Sequence, residues 1–91
     1  MADIYDELRA ERKHQDEKWG GPAHDDLHRG QDWYEFIDPR IERASFTEFA
    51  GGDRGRRLLI ESASMLIAWI ESLDRRIENE SLPAQPEREG E

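Results

Sequence analysis

The strongest hydrophobic pattern lies in the second half of the chain, after the glycine pair at positions 51–52. Apolar residues alternate there at spacings of three and four, which predicts a helix over about residues 53–79 with Asp53 as N-cap. On a helical wheel the apolar arc covers roughly 220°, about twice what a surface helix needs. Its central stripe comprises Leu59, Ala63, Leu66, Ile70, Leu73 and Ile77. The rest of the chain has too few apolar residues to cover this arc, so a second copy is the simplest cover.

Two weaker periodic segments precede this helix. The first is predicted over residues 3–18, with Asp3 as N-cap, and is polar for most of its length. Such a helix needs neighbours or salt links to hold it. The second is predicted over residues 32–49, with Asp32 as N-cap and an apolar face at 3-4-3 spacing. Pro39 lies inside it, which predicts either a kink or two short helices.

The segment between these two helices starts with Gly20, Gly21 and Pro22, which end the first helix. We expect an ordered polar loop up to residue 31, with one helical turn after Pro22 as the alternative. The fold class is therefore all-α: a bundle of about three helices in one domain, residues 1–79, completed by dimerisation. Residues 80–91 are acidic and proline-containing, and we expect a disordered tail.

The amino-acid composition of the chain disfavours several classes of function. Among 91 residues, 22 are Asp or Glu and 13 are Lys or Arg, for a net charge of −9 without any cysteine. This charge disfavours direct nucleic-acid binding and docking on an anionic membrane, and the lack of cysteine excludes thiolate chemistry. The sequence has no apolar run of membrane-spanning length, and its acidic start differs from a signal peptide. We therefore expect a cytoplasmic protein.

A histidine-rich segment is the first candidate site. His24 and His28 are four residues apart and flank Asp25 and Asp26, so the imidazoles share a face if the segment is helical. Such a set can ligate a divalent transition metal. The alternative is a polar loop whose Asp and His side chains bond to local backbone groups.

Carboxylates on two helices form a second candidate metal site. Glu35 and Asp38 are three residues apart, and Glu61 lies at the edge of the apolar arc of the last helix. Carboxylate oxygens suit Mg²⁺ or Mn²⁺. The alternatives are a solvated face for Glu35 and Asp38, and an intrahelical ion pair with Arg57 for Glu61.

Arginines and aromatic residues supply two further candidates. Arg54, Arg56 and Arg57 cluster at the start of the last helix, where they would either hold a phosphate or pair with the acidic excess. Four aromatic residues are candidate anchors for a protein partner, and the three closest in sequence cannot share one helical face. These four are Trp19, Trp33, Tyr34 and Phe36.

Two stretches of the chain resemble a known group. Glu11-Arg12, the run from Gln15 to Gly20 and His24-Asp25 look like the opening of small phage and prophage proteins, some of them grouped with the MazG-like nucleotide pyrophosphohydrolases. The run from Ala68 to Arg76 is similar to the closing helix of that group. Together these stretches cover about a third of the chain.

The resemblance implies an all-helical, dimeric bundle. In the enzymes of this group, carboxylate pairs on two helices hold Mg²⁺, and a metal-bound water cleaves a nucleoside triphosphate. Here the pair on the closing helix would fall at Arg57 and Glu61, so only Glu61 is acidic. Glu35 and Asp38 are the candidate substitutes for the second pair.

Two functions follow from these observations. The first is a non-catalytic accessory protein of a phage or mobile element, which binds a basic host or defence protein in the cytoplasm of a bacterial host, because an acidic surface speeds association with a basic partner. The alternative is a metal-dependent nucleoside triphosphate pyrophosphohydrolase, or a nucleotide-binding relative, with Mg²⁺ or Mn²⁺ as cofactor.

Overall fold

All regular structure in residues 3–46 and 51–81, the part of the chain described by a computed structural model, is α-helical. The helices are α1 (Ile4–Trp19), α2 (Gly21–Asp25), α3 (Gly30–Ser45) and α4 (Asp53–Ser81). α4 is about 43 Å long at 1.5 Å per residue. The other three helices pack on it, whereas α1 and α3 contact each other marginally at most. The all-α prediction is confirmed, and α4 forms the common support of the fold.

α1 begins and ends as its sequence predicts. Asp3 is the N-cap, and its carboxylate accepts a hydrogen bond from the backbone N–H of Tyr5 at 3.3 Å. Gly20 ends the helix with φ at 111°, a left-handed conformation that favours glycine. Its N–H donates to the carbonyl of Asp16 at 2.8 Å. The helix ends at Trp19, one residue beyond its predicted end.

α2 is the helical turn that Pro22 suggested, beginning at Gly21. α3 begins at Gly30 with Arg29 as its N-cap, so the prediction of Asp32 as N-cap is wrong, and Asp32 lies in the first turn. The Asp32 carboxylate accepts a hydrogen bond from the N–H of Arg29 at 2.9 Å. α3 ends at Ser45, earlier than predicted, and the predicted end at residue 49 lies outside the described residues.

α3 runs through Pro39 as a single helix, so the alternative of two short helices is wrong. Pro39 has no N–H to donate to the carbonyl of Glu35. Both residues are exposed, so water can reach that carbonyl. At the other terminus, α4 extends two residues beyond its predicted end, and the remainder of the predicted tail lies outside the described residues.

The apolar core lies between α3 and α4. Trp33 and Ile37 pack against Met65 and Ala68, each of them no more than 5 % exposed. Trp69 packs against this cluster, and its ring stacks on that of Trp33 with centroids 6.1 Å apart and planes 6° from parallel. Outside this cluster, Ala44 on α3 and Ile60 on α4 are also buried, at 7 % and 8 % exposure.

The contact between α1 and α4 is polar. Gln15 donates from Nε2 to the Glu11 carboxylate at 2.9 Å and to the carbonyl of Glu61 at 3.4 Å. Arg57 donates to the other oxygen of Glu11 at 2.5 Å. Glu11 and Gln15 are 5 % and 4 % exposed. The expectation that salt links hold α1 is confirmed, because charged and amide groups occupy the buried face of this helix.

Asp26 attaches the segment after α2 to the far end of α4. Its carboxylate accepts hydrogen bonds from Arg75 at 2.8 Å and from the hydroxyl of Ser72 at 2.7 Å. Because both donors stabilise the ionised form, the pKa of Asp26 falls to about 2.

Within residues 3–46 and 51–81, none of the helices has the length and apolar character needed to cross a membrane.

Candidate binding surfaces

A cavity of about 180 Å³ separates α1 from α3. It exists because both helices pack on α4 and only marginally on each other. α2 and the turn after it line the cavity together with these helices. Its lining residues are Arg12, Gln15, Asp16, Trp19, His24, Asp25, His28, Trp33, Phe36, Arg40, Met65 and Ala68.

Aromatic rings form one wall of the cavity. The His28 ring lies edge-on to Phe36 and Trp33, with centroids 5.0 and 5.6 Å apart. The ring of His24 is also edge-on to that of His28, and their Nε2 atoms are 3.2 Å apart. One imidazole therefore donates to the other, which requires that at least one of them is neutral.

The two arginines that line the cavity are both engaged by acidic partners. Arg12 contacts Asp16 at 3.2 Å and Glu71, outside the cavity, at 2.6 Å. Arg40 contacts the Glu61 carboxylate at 3.3 Å. It also donates to the carbonyl of Phe36 at 2.7 Å. The positive charges at the cavity are thus already matched by carboxylates.

Asp25 is the exception among the charged residues of the cavity. It is 9 % exposed, and its carboxylate makes no hydrogen bond or ion pair with any residue in the described part of the chain, although its oxygens are not completely buried. Burial raises the pKa of Asp25, and the charge of Arg12 offsets part of that effect. A largely buried carboxylate that lines a cavity and has no donor from the protein is a candidate ligand-binding group.

The second surface is the central stripe of α4, which we call the α4 stripe. Its six residues occupy the a and d positions of consecutive heptads, with Ala63, Ile70 and Ile77 at a. In the single chain this stripe faces away from the core. The exposed fractions are 53 % for Leu59, 41 % for Leu66, 56 % for Ile70, 39 % for Leu73 and 44 % for Ile77.

The residues of the predicted metal sites are placed in different environments. His24 and His28 come together in the cavity. Glu61 is held by Arg40 and by Arg57, whose Nε lies 3.3 Å from it, as the intrahelical alternative predicted. Glu35 and Asp38 are exposed. Within the described ranges, no three His, Asp or Glu side chains form a group that could hold a metal ion.

The arginine cluster is engaged in ion pairs. Arg56 donates to both oxygens of Glu7, at 2.7 and 3.0 Å. Arg57 forms ion pairs with both Glu11 and Glu61. Arg54 is exposed. The alternative of pairing with the acidic excess is therefore confirmed for Arg56 and Arg57, whereas phosphate binding by the cluster stays a prediction.

The four aromatic candidates divide between the core and the surface. Trp33 is 4 % exposed and belongs to the core, whereas Tyr34 is 56 % exposed. Phe36 and Trp19 are partly exposed at the cavity. The prediction that the three closest aromatic residues cannot share one face is confirmed. A partner could reach Trp19, Tyr34 and Phe36 without opening the core.

Sequence reasoning missed the buried polar pair of α1 and the role of Arg40. A signal for the pair was present, because Glu11 and Gln15 continue the 3-4 spacing of Leu8 along one helical face. Polar residues at positions where a core face should continue indicate a buried network. No local pattern pointed to Arg40, whose partner Glu61 lies 21 residues away.

Comparisons with protein-family models, with curated proteins and with solved structures gave no match to this chain. The cavity and the α4 stripe therefore have to be interpreted from their own chemistry.

Proposed function

We propose that this chain is a non-catalytic binding protein that acts as a homodimer through the α4 stripe. The observation that carries the proposal is the exposure of a heptad stripe with isoleucine at two a positions and leucine at every d position. In parallel coiled coils this combination favours two strands. A second copy of α4 is the occupant that supplies the matching stripe.

The energetic argument supports a symmetric interface. Complete burial of a Leu or Ile side chain stabilises by about 1.5–3 kcal/mol relative to exposure. In the single chain, the five Leu and Ile residues of the stripe are 39–56 % exposed. Pairing two stripes would therefore bury ten partly exposed side chains, for a gain of about 7–15 kcal/mol, which is of the same order as the association cost of about 4–15 kcal/mol.

The acidic surface indicates what a dimer would bind. With a net charge of −9, the chain attracts basic partners and repels nucleic acid. We propose a basic host or defence protein as the partner of a phage or mobile-element accessory protein, with the exposed aromatic residues Tyr34 and Phe36 as anchors.

The experiment is a mass measurement by light scattering at tens of micromolar. The wild-type chain should have twice the monomer mass, and Leu66→Glu and Ile70→Gln should each shift it towards the monomer. Leu27→Glu is the matched control, because Leu27 is 74 % exposed and lies off the stripe. A folded wild-type monomer, or dissociation by Leu27→Glu to the same extent, would refute the dimer.

The pyrophosphohydrolase alternative has less support from the geometry. Metal-assisted cleavage needs several carboxylates that converge on the ion. Here Glu61 already has two arginine partners. A thermal melt with Mg²⁺ or Mn²⁺, alone and with a nucleoside triphosphate, separates the two proposals, because a ligand of the folded state must raise the melting temperature. We expect no shift with the metal alone.

A further inference from the structure

We propose that the cavity between α1 and α3 binds an organic cation, an alkylguanidinium or alkylammonium group of about the size of an arginine side chain. The recognition groups are the Asp25 carboxylate and the rings of Trp33, Phe36 and Trp19. This site is separate from the α4 stripe and does not depend on dimerisation.

The first argument is the state of Asp25. Asp25 is 9 % exposed and lines the cavity, and its carboxylate has no hydrogen-bond donor among the described residues, although its oxygens are not completely buried. No described protein group repays the partial desolvation of this carboxylate, so water in the cavity is its remaining hydrogen-bond partner. A guanidinium or ammonium group in the cavity would supply that donor and a matching charge.

The second argument is the charge balance around the cavity. The other charged or titratable groups near Asp25 are Arg12, Asp16, His24 and Arg75. Arg12 is bound by Asp16 and Glu71, and Arg75 by Asp26. Both arginines are thus committed elsewhere, so the charge of Asp25 is left unmatched and the cavity favours a cation over an anion.

The third argument is size and wall chemistry. A cavity of about 150 Å³ is large enough to hold benzene, and this cavity measures about 180 Å³. The faces of Trp and Phe rings attract a cation within about 6 Å of the ring centre. Aromatic walls with one buried carboxylate therefore suit a compact organic cation better than a polyanion.

The experiment compares matched small molecules by isothermal calorimetry and tryptophan fluorescence at low salt. Propylguanidinium and butylammonium should bind, whereas propylurea, a neutral molecule of the same shape, should bind at least tenfold more weakly. Inorganic phosphate tests the anion alternative. Equal binding of propylurea, or tighter binding of phosphate, would overturn the proposal.

Two variants locate the site. Asp25→Asn should weaken propylguanidinium binding at least tenfold and leave the apo melting temperature unchanged or higher, because it removes a charge without a donor. Asp74→Asn is the control, an exposed carboxylate on α4 with the same charge change. Unchanged binding by Asp25→Asn, or an equal loss with Asp74→Asn, would contradict the assignment.

Two further measurements are needed. The first asks whether the bound cation comes from a protein partner or from a free small molecule, and the second asks whether the cavity depends on the proposed dimer. A short peptide with one central arginine should bind at least tenfold more tightly than propylguanidinium if the cation comes from a protein partner. Comparable affinities would indicate a free small molecule, and both results require a cation site. The dimer-disrupting Leu66→Glu variant should retain propylguanidinium binding. If Leu66→Glu no longer bound propylguanidinium, the cavity would depend on the dimer, which would contradict the proposal.

Discussion

The buried ion pair between α1 and α4 allows a quantitative test of what holds α1 in place. Arg57→Ala removes the charged partner of Glu11, whose side chain is 5 % exposed. Glu11 then keeps only the amide of Gln15, whereas Glu61 still has Arg40. The variant also removes the contact of Arg57 with Glu61, but the larger expected cost is that of leaving the buried Glu11 carboxylate without its cation.

The magnitude follows from the exposure of each partner. Removing one member of a fully buried ion pair costs about 3–5 kcal/mol. The Arg57 side chain is 55 % exposed, so water replaces part of its contribution and the expected cost falls to about 2 kcal/mol. For a domain of this size that corresponds to a decrease of about 8–16 °C in melting temperature.

The assay is thermal and urea unfolding followed by circular dichroism. Arg9→Ala is the matched control. Arg9 and Asp6 form an ion pair within α1, and their side chains are 75 % and 67 % exposed. It should change stability by less than about 0.5 kcal/mol. In the Arg57→Ala background, Glu11→Gln should recover about 1–2 kcal/mol, since it removes the orphaned charge. Equal effects of Arg57→Ala and Arg9→Ala would refute the reasoning.

Three further outcomes follow from the described contacts. Trp33→Ala should destabilise by about 3–5 kcal/mol in urea unfolding, because it empties the centre of the core and the stack on Trp69. Ser64→Ala should stabilise by about 1 kcal/mol in the same assay, since its hydroxyl is fully buried and has no hydrogen-bond partner among the described residues. The stabilisation due to Asp26, whose pKa is lowered to about 2, should be present above its ordinary pKa of 3.8 and be lost as the pH falls towards 2. In melts across that range, Asp26→Asn should remove this part of the acid sensitivity, and an unchanged profile would contradict the assignment.

Local patterns in the sequence predicted most of the helical structure. The cap at Asp3, the stop at Gly20 and the pair between Arg57 and Glu61 depend on residues within four positions of each other, so spacing alone reveals them. The sequence left open whether Pro39 kinks one helix or separates two short ones, because the outcome depends on the packing of α3 on α4, which no local pattern shows.

The cavity could not be predicted in the same way. It depends on how far α1 and α3 stand apart on α4, and its ion pairs join residues far apart in sequence, such as Arg12 and Glu71, 59 positions apart. The histidine-rich segment was recognised as a candidate site. Its position beside Trp33 and Phe36, and the lack of a donor for Asp25, appeared only when the helices were packed.

The marginal contact between α1 and α3 also bears on how substitutions combine. Changes on α1 and on α3 that lie away from the cavity have no shared neighbour except α4, so their effects on the free energy of unfolding should add within about 0.5 kcal/mol. The two helices can therefore diverge independently of each other during evolution. α4 has less freedom, because each of the other three helices packs on it, so one substitution on α4 can affect several contacts at once.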